Sequence, residues 1–147
     1  MGLTRTAAAA RRPEVVSTLV YVDTSALVKL VFDEPESSAL TQFLERMPER
    51  VCSAVASVEL GRVARSVQDP AVERDAKRIL KGMHLIAVDA TLLAAAAATE
   101  PRSLKTLDAI HLATARSLGH ELAGFVTYDR RLADAARQCD LTVWSPT

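Results

Sequence analysis

Cysteine is scarce in this chain: Cys52 and Cys139 are the only two in 147 residues. They lack the close spacing of a metal site, and two cysteines offer no disulfide framework. A reducing cytoplasm is the compartment such a sequence fits, and Cys52, inside the apolar run "RVCSAV", reads as a small core residue. Excess charge is lacking too. Eighteen Lys and Arg balance eighteen Asp and Glu, which argues against gripping polyanions by bulk charge but not against a local basic patch. No run approaches the roughly 18 consecutive apolar residues of a membrane span, so no membrane partner is expected. In the opening "MGLTRTAAAARRPEVVST", four alanines are followed by Arg11-Arg12-Pro13-Glu14, and no signal-type apolar core forms. Residues 1–17 read as a flexible N-terminal tail, basic enough to touch RNA or a partner. Residues 18–147 read as a single domain with room for a core. Internal repeats and linkers are missing as well; the alanine run in "DATLLAAAAATE" is a helix former.

What is present is an alternation of short β-rich pieces and longer helical ones. Strands are expected at Leu19–Val22, Val51–Ser53, Leu85–Val88, Gly124–Thr127 and Leu141–Trp144. They are short, uninterrupted apolar runs, as a sheet buried on both faces requires. Helices are expected at Ser25–Phe32, Ser37–Arg46, Val55–Val67, Ala71–Lys81, Thr91–Thr99, Thr106–Leu118 and Arg131–Gln138. Asp89 and Thr106 suit N-caps or near-caps, Pro70 a helix start and Gly119 a helix stop. The alternation predicts an α/β fold with a small, mostly parallel central sheet. In such folds sites form beyond the carboxyl ends of the strands, which puts Asp23 and Asp129 on one edge.

Two more acids lie within apolar helical patterns. In "SAVASVELGRVARSV", Ala56, Leu60, Val63 and Val67 mark an expected buried face, with Glu59 at its border. In "SLKTLDAIHLATARSLG" the helix is apolar nearly all round, and Asp108 falls in its first turn. Each acid also has an ordinary reading. Asp23 caps the next helix, Glu59 pairs with Arg62 or Arg65, Asp108 complements a helix dipole and Asp129 belongs to a turn. Together they form an oxygen-only set that suits Mg²⁺ or Mn²⁺ and not structural zinc.

The stretches "VDTSALVKL", "SVEL", "LDAIHLATA" and "VTYDRRL" resemble, in order and spacing, the four acidic motifs of PIN-domain ribonucleases, and within them the VapC toxins of type II toxin–antitoxin pairs. The resemblance spans about residues 19 to 145. It implies a PIN-like three-layer α/β/α sandwich, a Mg²⁺-dependent endoribonuclease, a homodimer and inhibition by a cognate VapB-type antitoxin. It carries catalytic and metal-holding roles onto Asp23, Glu59, Asp108 and Asp129, and supporting roles onto Thr24, Ser25 and Thr127. The chain departs from the family in its tail, because the first acid of the family lies close to the start. Metal-activated water would attack the phosphate in line. Structured RNA with an exposed loop, transfer or ribosomal, is the expected substrate class.

Other residues divide between ordinary and functional roles. His111, one turn from Asp108, reads as a half-buried structural histidine with a satisfied ring nitrogen, ahead of a base or metal ligand. Arg130 and Arg131 are candidates for RNA phosphates, against surface solvation or pairing with Asp134. Trp144 reads as a core or edge plug. Ser25 lacks the G-x-S-x-G elbow of a hydrolase nucleophile. Two rival classes share the pattern: a non-catalytic PIN-like binding module for RNA or protein, and a phospho-accepting receiver domain. The helix-borne Glu59 and Asp108 fit the receiver poorly.

Overall fold

The computed structural model describes residues 17–147; the expected tail otherwise lies outside the described residues. Strand β1 (Leu19–Val22) runs into α1 (Thr24–Val31) and α2 (Ser37–Glu45). Strand β2 (Glu49–Ser53) leads to α3 (Val55–Ser66) and α4 (Pro70–Lys81). Strand β3 (His84–Ile86) precedes α5 (Ala90–Ala97) and α6 (Thr106–Arg116), and β4 (Leu122–Val126), α7 (Arg130–Gln138) and β5 (Val143–Trp144) close the order. Every expected element forms, with bounds shifted by a residue or two at most ends.

The sheet order is β3-β2-β1-β4-β5, and every pairing is parallel. Parallel strands need crossovers, and the right-handed rule puts α1–α4 on one face and α5–α7 on the other. Helix α1 packs on α2, α3 and α4, while α6 packs on α5, α7 and β2, which gives the α/β/α sandwich. Strand order reverses between β1 and β4, so the edge beyond Val22 and Val126 is a topological switch point. The Asp23 N–H donates to the Val126 carbonyl at 3.1 Å and ties the two strand ends together.

The core confirms the apolar runs: Val20, Tyr21, Val22, Phe125 and Val126 are fully buried, as is Cys52. Tyr21 stacks on Phe125 across β1 and β4, with ring centroids 5.0 Å apart. Trp144 is the expected edge plug, covering Gly124 and tilted against Phe43 at 5.2 Å. The expected face of α3 is partly wrong. Ala56 and Leu60 are buried, but Ala64 takes the third place, and Val63 and Val67 are 38% and 48% exposed. Helix α3 lies against both α1 and α4, and small alanines permit that approach where a valine would hold the helices apart. Leu107 is likewise 44% exposed, so one apolar side of α6 faces away from the core.

Helix starts follow local chemistry. Asp89 caps α5 by accepting from the Leu92 N–H at 2.8 Å. Asp69 caps α4 in the same way, with Pro70 in the first turn, where a missing N–H costs nothing. Lys105 occupies the cap of α6 without a side-chain bond, and Thr106 is that helix's first residue. Gly119 adopts φ +58, the left-handed conformation that ends a helix at little cost.

Candidate active site

The loops after β1 and β4 bring Asp23, Ser25, Thr127 and Asp129 together. Asp23 is 3% exposed, and among the described residues it forms no salt bridge. Its Oδ1 accepts from the Ser25 hydroxyl at 2.6 Å and from the Ala26 N–H at 3.2 Å; its Oδ2 accepts from the Thr127 hydroxyl at 3.0 Å. Those hydroxyls are themselves held. Ser25 Oγ accepts from the Tyr128 N–H at 2.9 Å, and Thr127 Oγ1 from the Asp129 N–H at 3.1 Å. Burial pushes the Asp23 carboxyl up to about 6, against the pull of these bonds. Asp129 caps α7 by accepting from the Leu132 N–H at 3.0 Å, through Oδ1 alone.

Glu59 reaches the same edge from α3. It does not pair with Arg62 or Arg65. Its Oε1 accepts from the Thr24 hydroxyl at 2.8 Å and lies 2.6 Å from His111 Nε2. Burial pushes the Glu59 carboxyl up, the bonds from His111 and Thr24 draw it down, and the lowering prevails. His111 is more buried than its sequence position suggests, at 1% exposure, and both its ring nitrogens are engaged. Asp108 is half-buried in the first turn of α6. Burial, then the charges of Asp129 and Glu59, raise its carboxyl above the ordinary range. That repulsion identifies Asp108, Asp129 and Glu59 as electrostatic neighbours.

A cleft of 810 Å³ opens beside these acids. Asp108 and Asp129 line it, together with Arg130, Arg131, Lys105 and Ser103. Asp23 and Glu59 do not line it. Asp134 pairs with Arg137 at 3.4 Å, so among the described residues neither Arg130 nor Arg131 has an acidic partner. Lys105 lines the cleft, a place that reading the sequence did not give it. Its signal is its place three residues before Asp108, at the N-terminus of α6.

Among the described residues no three His, Cys, Asp or Glu side chains converge closely enough to hold a metal ion as they stand. The chemistry of the donors nevertheless fits a hard divalent cation. All four are carboxylates, and Asp108, the second oxygen of Asp129 and the second oxygen of Glu59 accept no hydrogen bond among the described residues.

The PIN domain family matches residues 20–138. This chain belongs to that family. Its relatives include Ribonuclease VapC46 of Mycobacterium tuberculosis, 41% identical over 128 residues that cover 87% of this chain and 98% of that protein. Ribonuclease VapC35 of the same species is 41% identical over 135 residues, covering 87% and 97%. Ribonuclease VapC47, also of that species, is 35% identical over 132 residues, with the same coverage. These matches put the chain among VapC-type PIN-domain proteins. A solved toxin–antitoxin complex from Klebsiella pneumoniae contains a chain with the same fold: TM-score 0.67, 23% identity, 87% of this chain and 98% of that one. Among the described residues no helix is long and apolar enough to cross a membrane.

Proposed function

We propose that this PIN-domain protein is the endoribonuclease toxin of a toxin–antitoxin pair, acting in the cytoplasm and dependent on Mg²⁺, with Mn²⁺ a chemical equivalent. The observation that carries the reading is the nearness of four carboxylates at the switch point: Thr127 links Asp23 to the Asp129 backbone, and the charges of Asp129 and Glu59 act on Asp108, beside a cleft whose Arg130 and Arg131 have no acidic partner among the described residues. The VapC ribonucleases that the chain resembles support the same chemistry.

An acidic wall repels RNA phosphates unless a cation intervenes. A divalent ion held by the four carboxylates would lower the pKa of a water and offset charge on the scissile phosphate. The chain supplies the rest. Ser25 and Thr127 clamp Asp23, and Thr24 and His111 hold one oxygen of Glu59. Asp108 and Asp129 face the cleft, and Arg130, Arg131 and Lys105 would take phosphate oxygens on its rim. Such contacts position RNA and carry no base information, so selectivity comes from the shape of a structured RNA, transfer or ribosomal, that exposes a loop. A cognate VapB-type antitoxin and a homodimer belong to the same reading. An antitoxin arginine among the acids would take the cation's place, its fork matching paired carboxylates.

The test is purified protein on total RNA, in Mg²⁺ or in EDTA, with sequencing of the cut ends. Cleavage in Mg²⁺ alone is expected. Asp23→Asn, Glu59→Gln, Asp108→Asn and Asp129→Asn should each lower it by about 100-fold or more while leaving the circular dichroism spectrum intact. Full cleavage by a folded Asp23→Asn variant would sink the reading. RNA binding without any cutting in Mg²⁺ would favour the non-catalytic module.

A further inference from the structure

Tyr21 and His111 are fully buried polar residues that the proposed chemistry does not require to touch RNA or an ion. They are linked in one direction. The Ser53 backbone N–H donates to the Tyr21 hydroxyl oxygen at 3.0 Å. The Tyr21 hydroxyl lies 2.6 Å from His111 Nδ1. His111 Nε2 lies 2.6 Å from Glu59 Oε1, which also accepts from Thr24 at 2.8 Å.

Within this chain of bonds the Tyr21 proton has one acceptor, Nδ1, so Nδ1 carries no proton. The ring proton then sits on Nε2 and points at the Glu59 carboxylate, which can only accept. The opposite tautomer would turn the Tyr21 proton away from its nitrogen acceptor and set two acceptors, Nε2 and Glu59 Oε1, against each other at 2.6 Å; the Thr24 hydroxyl lies 3.2 Å from Nε2 but gives its proton to Oε1 at 2.8 Å. No buried side-chain nitrogen or oxygen among the described residues lacks a partner, and this tautomer preserves that state. Both donors reach the same carboxylate atom, Oε1, while Oε2 accepts no bond among the described residues.

We propose that His111 is a positioning residue for Glu59: the line from Ser53 through Tyr21 fixes the imidazole as its Nε2–H tautomer, which pins Oε1 and presents Oε2 to the cation site. Tyr21 acts one step further back, through His111 alone. This inference rests on the reading of Glu59 as a cation-holding residue. The arrangement is the one expected where a ligand's orientation is set by a group behind it, whose loss lowers affinity by about 10–100-fold.

The experiment combines nitrogen NMR of the imidazole with calorimetric Mn²⁺ binding to the full chain in the absence of RNA. Wild type should show the Nε2–H tautomer at His111, and Tyr21→Phe a mixed one. His111→Leu should weaken Mn²⁺ binding by about 10-fold or more. His111→Gln, which keeps an N–H near the ε position, should recover much of that loss. Tyr21→Phe should weaken binding in the wild-type background and do nothing further in His111→Leu, because it acts only through the ring. An Nδ1–H tautomer in wild type overturns the proposal, as does wild-type affinity in a folded His111→Leu. If Glu59→Gln loses Mn²⁺ while His111→Leu keeps it, this inference fails and the cation reading stands. If wild type binds no Mn²⁺, the cation reading fails and this inference falls with it.

Discussion

Replacing Asp23 with asparagine should stabilise the metal-free protein at neutral pH while abolishing cleavage. Asp23 is buried with no salt bridge among the described residues, and its carboxyl is pushed from 3.8 up to about 6. A raised folded value means that the folded state holds the proton more tightly than the unfolded state. The stability this confers is complete below about 3.8 and is lost as pH rises through about 6. Relative to low pH, the ionised group therefore costs about 3 kcal/mol at pH 7, at roughly 1.36 kcal/mol per pH unit. Asparagine removes that cost and keeps a carbonyl oxygen for Ser25 and the Ala26 N–H. Its amide cannot accept from Thr127, which forfeits about 1 kcal/mol. The expected net gain is about 2 kcal/mol at pH 7.5 in EDTA, or roughly 6 °C in melting temperature. Near pH 4 the gain should vanish or reverse, since wild type is then protonated too. Urea unfolding of both proteins at the two pH values measures the difference directly. A variant less stable than wild type by the same margin at both would refute the reasoning, and would mean that the cap bond outweighs the buried charge.

Asp108→Asn should also raise the metal-free melting temperature at pH 7, by less than Asp23→Asn because the group is half-exposed, and should shrink the shift produced by Mg²⁺. Lower stability with an unchanged Mg²⁺ shift would make it a structural residue only. Arg130→Glu and Arg131→Glu should each weaken binding to short single-stranded RNA and reduce the slope of log affinity against log salt by about 0.7 or more. Unaltered slopes would remove both from the RNA surface. In Gly124→Ala the added Cβ would lie 2.2 Å from the Trp144 ring, so β5 must shift at a cost of about 1–3 kcal/mol. Urea unfolding followed by the fluorescence of this single tryptophan reads it, and an unchanged midpoint would show that the ring swings away freely.

The strands and helix starts were legible because they depend on neighbouring residues. "LVYVD" needs only its own apolar run to be a buried strand, and Asp89 only its own helix to be a cap. The buried face of α3 was not fully legible. Hydropathy favours Val63 and Val67, but the geometry of three close helices favours Ala64, and that constraint comes from α1 and α4. The partner of Glu59 was hidden for a related reason. Arg62 and Arg65 are near in sequence, whereas His111 is 52 residues away and meets Glu59 only once α3 and α6 converge beyond the sheet. Tyr21, 90 residues from His111, reads in the sequence simply as part of a strand.

The acids themselves show why ordinary and functional readings of a sequence need not compete. Asp23 and Asp129 were open to reading as a helix cap and a turn residue, and both are helix caps: each accepts an N–H of the helix that follows it. In a parallel sheet every strand ends by turning toward a helix, and that turn calls for an acceptor at the helix N-terminus. An aspartate meets the need with one oxygen and has a second to offer. At β1 the second oxygen is taken by Thr127, from the loop after β4; at β4 it accepts no bond among the described residues, beside the cleft. Because β1 and β4 are neighbours where the strand order reverses, the two caps stand side by side with no strand between them. The fold thus delivers two carboxylates to one place through the local chemistry of helix starts. Glu59 and Asp108 cap nothing and arrive by other routes: Asp108 from the first turn of α6, where its charge also complements the helix dipole, and Glu59 from within α3, held by Thr24 and His111.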